Sequence, residues 1–148
     1  MYKKILVPVD GSDASKRGLD EAIDLAKIHG SQLRLLHVVS ELVLLGADAR
    51  MLDFEDLIES LRDNGKAVLE VARQRVRKHE LDAEIVLEET FGRHAANSIV
   101  AQAKSWPADL IVMGTHGRHG LARLALGSDA EIVVRHAPVP VLLARAVD

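Results

Sequence analysis

The chain contains no cysteine, which excludes disulfides, thiolate metal sites and thiol catalysis. Aromatic residues make up only 3% against 48% apolar residues overall, so the core must be built from Val, Leu, Ile and Ala. That composition suits strands covered on both faces by helices. Charge of neither sign dominates: the formal net charge of -3 gives no basis for a general nucleic-acid or membrane partner. No apolar run approaches the ~18 residues of a membrane span. Met1-Tyr2-Lys3-Lys4 leads straight into a strand-like run with no apolar signal region, so a soluble cytoplasmic protein is expected. Two nucleotide motifs are also missing. There is no G-x-x-x-x-G-K-[ST] phosphate loop, and no G-x-G-x-x-G follows the first apolar run.

The 148 residues suffice for one domain with a real core. Short apolar runs alternate with helical spacings along its whole length. The strand-like runs are 5–9, 33–39, 83–87, 109–113 and 138–144, and the helical stretches are 14–29, 51–79, 94–104 and 128–136. The helical stretch 51–79 carries a potential break at Asn64-Gly65. Gly30 is placed to stop the first helix, and residues 40–46 form a loop with an apolar cluster at Leu42, Val43, Leu44 and Leu45. Helices between strands force parallel neighbours and right-handed crossovers, so a doubly wound five-stranded α/β sheet of the nucleotide-binding kind is expected. Pro140 lies inside the last run and cannot donate to a ladder, which assigns that strand to an edge.

The most informative stretch follows the buried run Leu110-Ile111-Val112-Met113. Gly114 and Gly117 are followed after nine residues by Gly127-Ser128, at the start of a helix. Glycine lets backbone N–H groups approach a phosphate, and a helix N-terminus adds partial positive charge. The pattern reads as an anion cradle at the C-terminal end of a strand, where open α/β sheets bind ligands. Ser128 and Glu131 also spell a capping box, S-x-x-E, and capping alone could account for both. Asp10, which closes the first strand, is either a turn residue or a carboxylate that accepts hydrogen bonds from a ribose or base. Val38 is either plain core or the wall of a base pocket. His116 and His119 lie in the glycine loop without further ligands at zinc spacing, so they read as solvated or phosphate-facing rather than metal-binding. Arg118 and Arg123 either steer an anion or are simply exposed. Ser12, Ser40 and Ser98 lack a nucleophile-elbow motif, which removes a hydrolase triad.

These residues resemble the universal stress protein family in its ATP-binding branch. Gly114, Gly117, Gly127 and Ser128 match that branch's G-x2-G-x9-G-[ST] in full. The opening Lys4-Ile5-Leu6-Val7-Pro8-Val9-Asp10-Gly11-Ser12 and the ending from Val133 to Leu142 are similar to the family's, in the same order. The resemblance covers essentially residues 1–148 and is weakest over 40–79. It implies a Rossmann-like sheet ordered 3-2-1-4-5 and a homodimer paired through the last strands. It places Pro8, Val9, Asp10 and Val38 around the adenine and ribose. Met113, Gly114, His116, Gly117, Gly127, Ser128 and Asp129 then line the ribose and phosphates. ATP is the implied ligand, with a magnesium or manganese ion as a candidate companion of the phosphates and no protein residue assigned to the metal. The implied role is regulatory, in stress survival, with at most slow ATP hydrolysis. Asp129 departs from the family, which commonly has an apolar residue there, often valine; a carboxylate would oppose phosphate. The alternatives are a nucleotide-dependent enzyme of a related fold, against which stands the lack of a general base in the glycine motif, and an interaction module with an empty cleft.

Overall fold

Strands and helices alternate without exception in a computed structural model of the chain, which describes residues 1–40, 53–116 and 126–146. In chain order they are β1 (Lys4–Pro8), α1 (Asp13–His29), β2 (Gln32–Ser40), α2 (Phe54–Arg77), β3 (Ala83–Thr90), α3 (Ala95–Ser105), β4 (Leu110–Gly114), α4 (Ser128–His136) and β5 (Val141–Ala144). The five strands form one sheet in the order β3-β2-β1-β4-β5. All its pairings are parallel.

The apolar runs are continuous because both sheet faces are covered. Ile5 and Val7 of β1 point into one layer with Leu33, Leu35, Leu110 and Val112, beneath Leu19 and Ile23 of α1 and Leu69 and Val76 of α2. Leu6, Leu36 and Ile111 point the opposite way, against Ile99 of α3, Trp106 and Val133 of α4. Successive strand side chains alternate faces, so a strand buried on both sides must be apolar at every position. Around α1 the local signals agree with the fold. Ser12 caps it by accepting from the Ser15 N–H, and the Gly30 N–H closes its last turn on the Ala26 carbonyl.

Three expectations need correction. The helix expected over 51–79 with a break at Asn64-Gly65 is α2, which runs unbroken through both residues. Gly65 is there for packing: a Cβ would lie 2.7 Å from Cδ2 of His37 and 2.7 Å from Cδ1 of Leu87. The helix sits directly on β2 and β3, and that contact outweighs the ~1 kcal/mol helix penalty of glycine. The last strand begins at Val141, not 138, with Pro140 just outside it; the Pro140 carbonyl still accepts from Ile111 N–H at 3.0 Å. Its edge position is as expected. Ser128 does not cap α4. The cap is Gly127, held by its N–H on the Thr115 carbonyl at 2.8 Å, so the chain enters the helix one residue earlier. Glu131 pairs with Arg135 at 2.9 Å instead of completing a capping box. The apolar cluster Leu42 to Leu45, and Gly117, Arg118, His119 and Arg123 of the glycine loop, lie outside the described residues.

Candidate functional site

In the order β3-β2-β1-β4-β5 the winding reverses between β1 and β4, and a crevice forms outside the C-terminal ends of the strands at such a point. A cleft of about 580 Å³ opens there, within the usual range for small-molecule sites. Pro8, Val9 and Asp10 line it from the end of β1, and Val38 from β2. Met113, Gly114 and His116 line it from the end of β4. Gly127, Ser128 and Asp129 complete that side from the start of α4. Gly117 lies outside the described residues.

The β1 side is braced by hydrogen bonds. The Asp10 carboxylate accepts from the Ser12 N–H at 2.9 Å, and the Asp10 N–H donates to Ser15 Oγ at 3.1 Å. The turn reading of Asp10 therefore describes a real bond, and the same residue borders the cleft. The ladder between β1 and β2 ends at Pro8↔Leu36, while β2 stays paired to β3 up to Ser40↔Thr90. His37 fills the divergence. Its Nδ1 lies 2.8 Å from the Val9 carbonyl, which can only accept, so that nitrogen carries the proton. His37 is buried and backed by Gly65 of α2.

The β4 side is built differently. Gly114 is glycine for a packing reason, since a Cβ would lie 2.6 Å from the Ala14 carbonyl carbon and 2.8 Å from the Ser15 nitrogen. The first turn of α1 rests on it. Thr115 links the edge strand to the helix: its N–H donates to the Ala144 carbonyl at 2.9 Å, and its carbonyl accepts from Gly127. Its buried Oγ1 has no hydrogen-bond partner among the described residues. Among the described residues no side chain caps the start of α4. Asp129 lies in the first turn of α4, as expected, but its Oδ1 accepts from the Ala96 N–H at 3.1 Å. It thus supplies to α3 the capping bond that His94, the cap residue of α3, does not make.

Several residues of the wall were not anticipated from the sequence, among them Leu61 and Asn64 of α2, and His94, Ala95 and Ile99 around the start of α3. Nothing local marks them. The i, i+3 spacing of Leu61 and Asn64 says only that they share a helix face. His37 carried a usable signal, because a histidine inside an apolar strand, on the face opposite Val38, must find a polar partner.

The model of the universal stress protein family matches residues 1–145. The universal stress protein MJ0531 of Methanocaldococcus jannaschii is 37% identical over 145 residues, 98% of this chain and 83% of that protein. The chain belongs to the universal stress protein family. The family fold is also seen in solved structures. The universal stress protein UspA from Lactobacillus plantarum superimposes with a TM-score of 0.77 at 30% identity, covering 97% of this chain and 98% of that one. A universal stress protein from Archaeoglobus fulgidus, solved in complex with dAMP, gives a TM-score of 0.68 at 27% identity, covering 97% and 98%.

Proposed function

We propose that this universal stress protein, read as one domain over residues 1–148, is a regulator of the cytoplasmic stress response that binds an adenine nucleotide in the cleft. The observation that carries the reading is the start of α4. Its first turn opens on the cleft behind a cap, Gly127, that has no side chain to occupy the free N–H groups. The Archaeoglobus fulgidus relative, solved with dAMP, supports adenine as the base. Pro8, Val9, Asp10 and Val38 take the adenine and ribose side. Met113, Gly114, His116, Gly117, Gly127, Ser128 and Asp129 take the ribose and phosphate side. ATP is the finer form of the reading, with hydrolysis slow at most.

Among the described residues there is no cluster of three or more His, Asp or Glu side chains that could hold a metal. A magnesium or manganese ion therefore belongs to this reading as a companion of the phosphates, with Asp129 as the one carboxylate beside them. That division is usual for magnesium. Neither nucleic acid nor membrane is part of the reading. The net charge is -3, and no helix among the described residues is long and apolar enough to cross a bilayer.

The test is mass spectrometry of nucleotide released from the denatured protein, with calorimetry on the emptied protein. Adenine nucleotide released, or bound afresh, is the expected result. A folded protein that binds none would be an interaction module with an empty cleft.

The reading includes a homodimer through β5. That edge strand carries apolar, half-buried Val141, Leu142 and Leu143, and an unpaired apolar edge invites a two-fold partner. Sedimentation at micromolar concentration is expected to give a dimer that Val141→Lys shifts toward monomer; a native monomer would remove this part.

A further inference from the structure

We propose that Asp129 restricts the cleft to ligands with a single phosphate group unless a divalent cation accompanies further phosphates. The proposal rests on the adenine-nucleotide reading above. Two helices begin at this cleft, α3 through His94 and Ala95, and α4 through Gly127 and Ser128. Each start offers unpaired N–H groups and the positive end of a helix dipole. Only one of the two is open. The chain's own carboxylate reaches from α4 to the Ala96 N–H, 3.1 Å away, and occupies the start of α3. The start of α4 has no side-chain cap among the described residues. Next to it stands Thr115, a residue only 7% exposed that lines the same cleft, and its hydroxyl has no partner among the described residues. An anchored donor and an uncapped helix start lie together, and they provide for one anionic group.

The charge balance points the same way. The described residues lining the cleft include two carboxylates, Asp10 and Asp129, and no lysine or arginine. One phosphate at α4 is matched by backbone N–H groups. A second and third meet the Asp129 carboxylate at that end of the cleft, with no described cation in its lining to offset them. Carboxylate and phosphate at contact distance repel, and a hard cation between them turns the contact into attraction, because it takes oxygen ligands from both.

The experiment is calorimetry with AMP and with ATP, each in chelator and in excess magnesium, on the native protein, Asp129→Asn and Glu131→Gln. Asparagine keeps an oxygen acceptor for Ala96 and removes only the charge, so folding is retained. Glu131 is an exposed residue of the same helix, paired to Arg135 at 2.9 Å, and controls for the helix charge as a whole. In chelator the native protein is expected to bind AMP about fivefold more tightly than ATP, the effect of one unit-charge contact in water, and magnesium should close the gap. Asp129→Asn should raise ATP affinity in chelator by a similar factor, with a smaller gain for AMP, and Glu131→Gln should change neither. Three results each overturn the proposal while leaving the nucleotide reading intact. These are ATP binding in chelator as tightly as AMP, equal gains for both ligands in Asp129→Asn, or the same gain in Glu131→Gln. Binding of neither ligand under any condition overturns both.

Discussion

The two ends of the sheet are built on opposite plans. At the N-terminal end polar groups pair within the chain. Asp109 accepts from the Lys3 and Lys4 N–H groups at 2.8 and 2.9 Å, and Ser31 Oγ donates to the Tyr2 carbonyl at 2.6 Å. Trp106 is buried there beneath two cations, with Arg34 Cζ 4.5 Å and Lys4 Nζ 5.3 Å from its ring centroid. At the C-terminal end the strands diverge, and among the described residues Thr115 Oγ1 has no partner and no side chain caps α4. Buried polar groups are normally satisfied, so an end that leaves them open keeps binding capacity for something outside the chain. One end therefore holds the fold together, and the other keeps the open polar groups that the proposed ligand would use.

The largest expected effect breaks the first end alone. Trp106→Ala removes a buried aromatic from the layer between the sheet and helices α3 and α4. Such truncations cost about 3–5 kcal/mol. Urea denaturation should show that loss while AMP affinity, measured well below the unfolding midpoint, stays unchanged. A matching loss of affinity would mean that the two ends are not separable.

Asp10→Ala should act the other way round. A hydrogen bond from ligand to a charged group contributes ~1.5–3 kcal/mol, so nucleotide affinity should fall roughly ten- to a hundredfold. Stability should fall less, because the carboxylate's bond to the Ser12 N–H is a single local bond of a half-buried turn. If the urea midpoint drops sharply and calorimetry finds affinity unchanged, Asp10 serves only the turn.

The glycines at 114 and 127 sharpen the comparison within the ligand end itself. They belong to one motif and do different work. A Cβ at 114 meets the backbone of α1 at 2.6 Å, which cannot move aside as a flexible side chain would. Gly114→Ala should therefore destabilise by about 1–3 kcal/mol, read from denaturation. Gly127 caps α4 at the cleft wall, so Gly127→Val should lower nucleotide affinity about tenfold in a protein that still folds. Unchanged affinity in folded Gly127→Val would remove the cradle role from this glycine.

That division was not legible in the motif. The sequence pattern marks both glycines alike, because the helix that packs on Gly114 comes from about a hundred residues earlier in the chain, near Ala14. Legibility followed the range of the forces. Leu110 to Met113 announces a strand buried on both faces, and the alternation of runs announces parallel crossovers. From these the order β3-β2-β1-β4-β5 was within reach once the resemblance was recognised. Tertiary contacts were not. Gly65 read as a helix break because its reason, His37, sits on another element, and the bond from the Ala96 N–H to Asp129 was invisible because nothing local connects the two residues. The candidate site was correspondingly half legible. The residues at strand ends could be named from the sequence, and the walls from α2 and α3 could not, since a helix face facing a cleft looks like any other half-buried face.

The smallest expected effect tests the N-terminal end by pH. The Lys4 and then the Lys3 backbone N–H groups hold the Asp109 carboxyl below the ordinary carboxylate range. An unfolded aspartate titrates near pH ~3.9. Between that value and the lower folded one, the unfolded chain binds the proton and the folded chain does not. Stability from Asp109 is therefore complete above about pH 4 and is lost as pH falls through the folded value. Asp109→Asn cannot titrate, and its neutral oxygen makes weaker bonds to the same two N–H groups. At neutral pH the variant should be slightly less stable than the native protein, and the gap should narrow as pH falls below about 4, where the native carboxyl also becomes neutral. Urea midpoints from neutral pH down into the acid limb would show the two curves converging. A gap of constant width would mean that Asp109 contributes through its shape and not through its charge. The N-terminal end would then owe its hold on the fold to packing around Trp106 rather than to the carboxylate that ties Lys3 and Lys4 to β4.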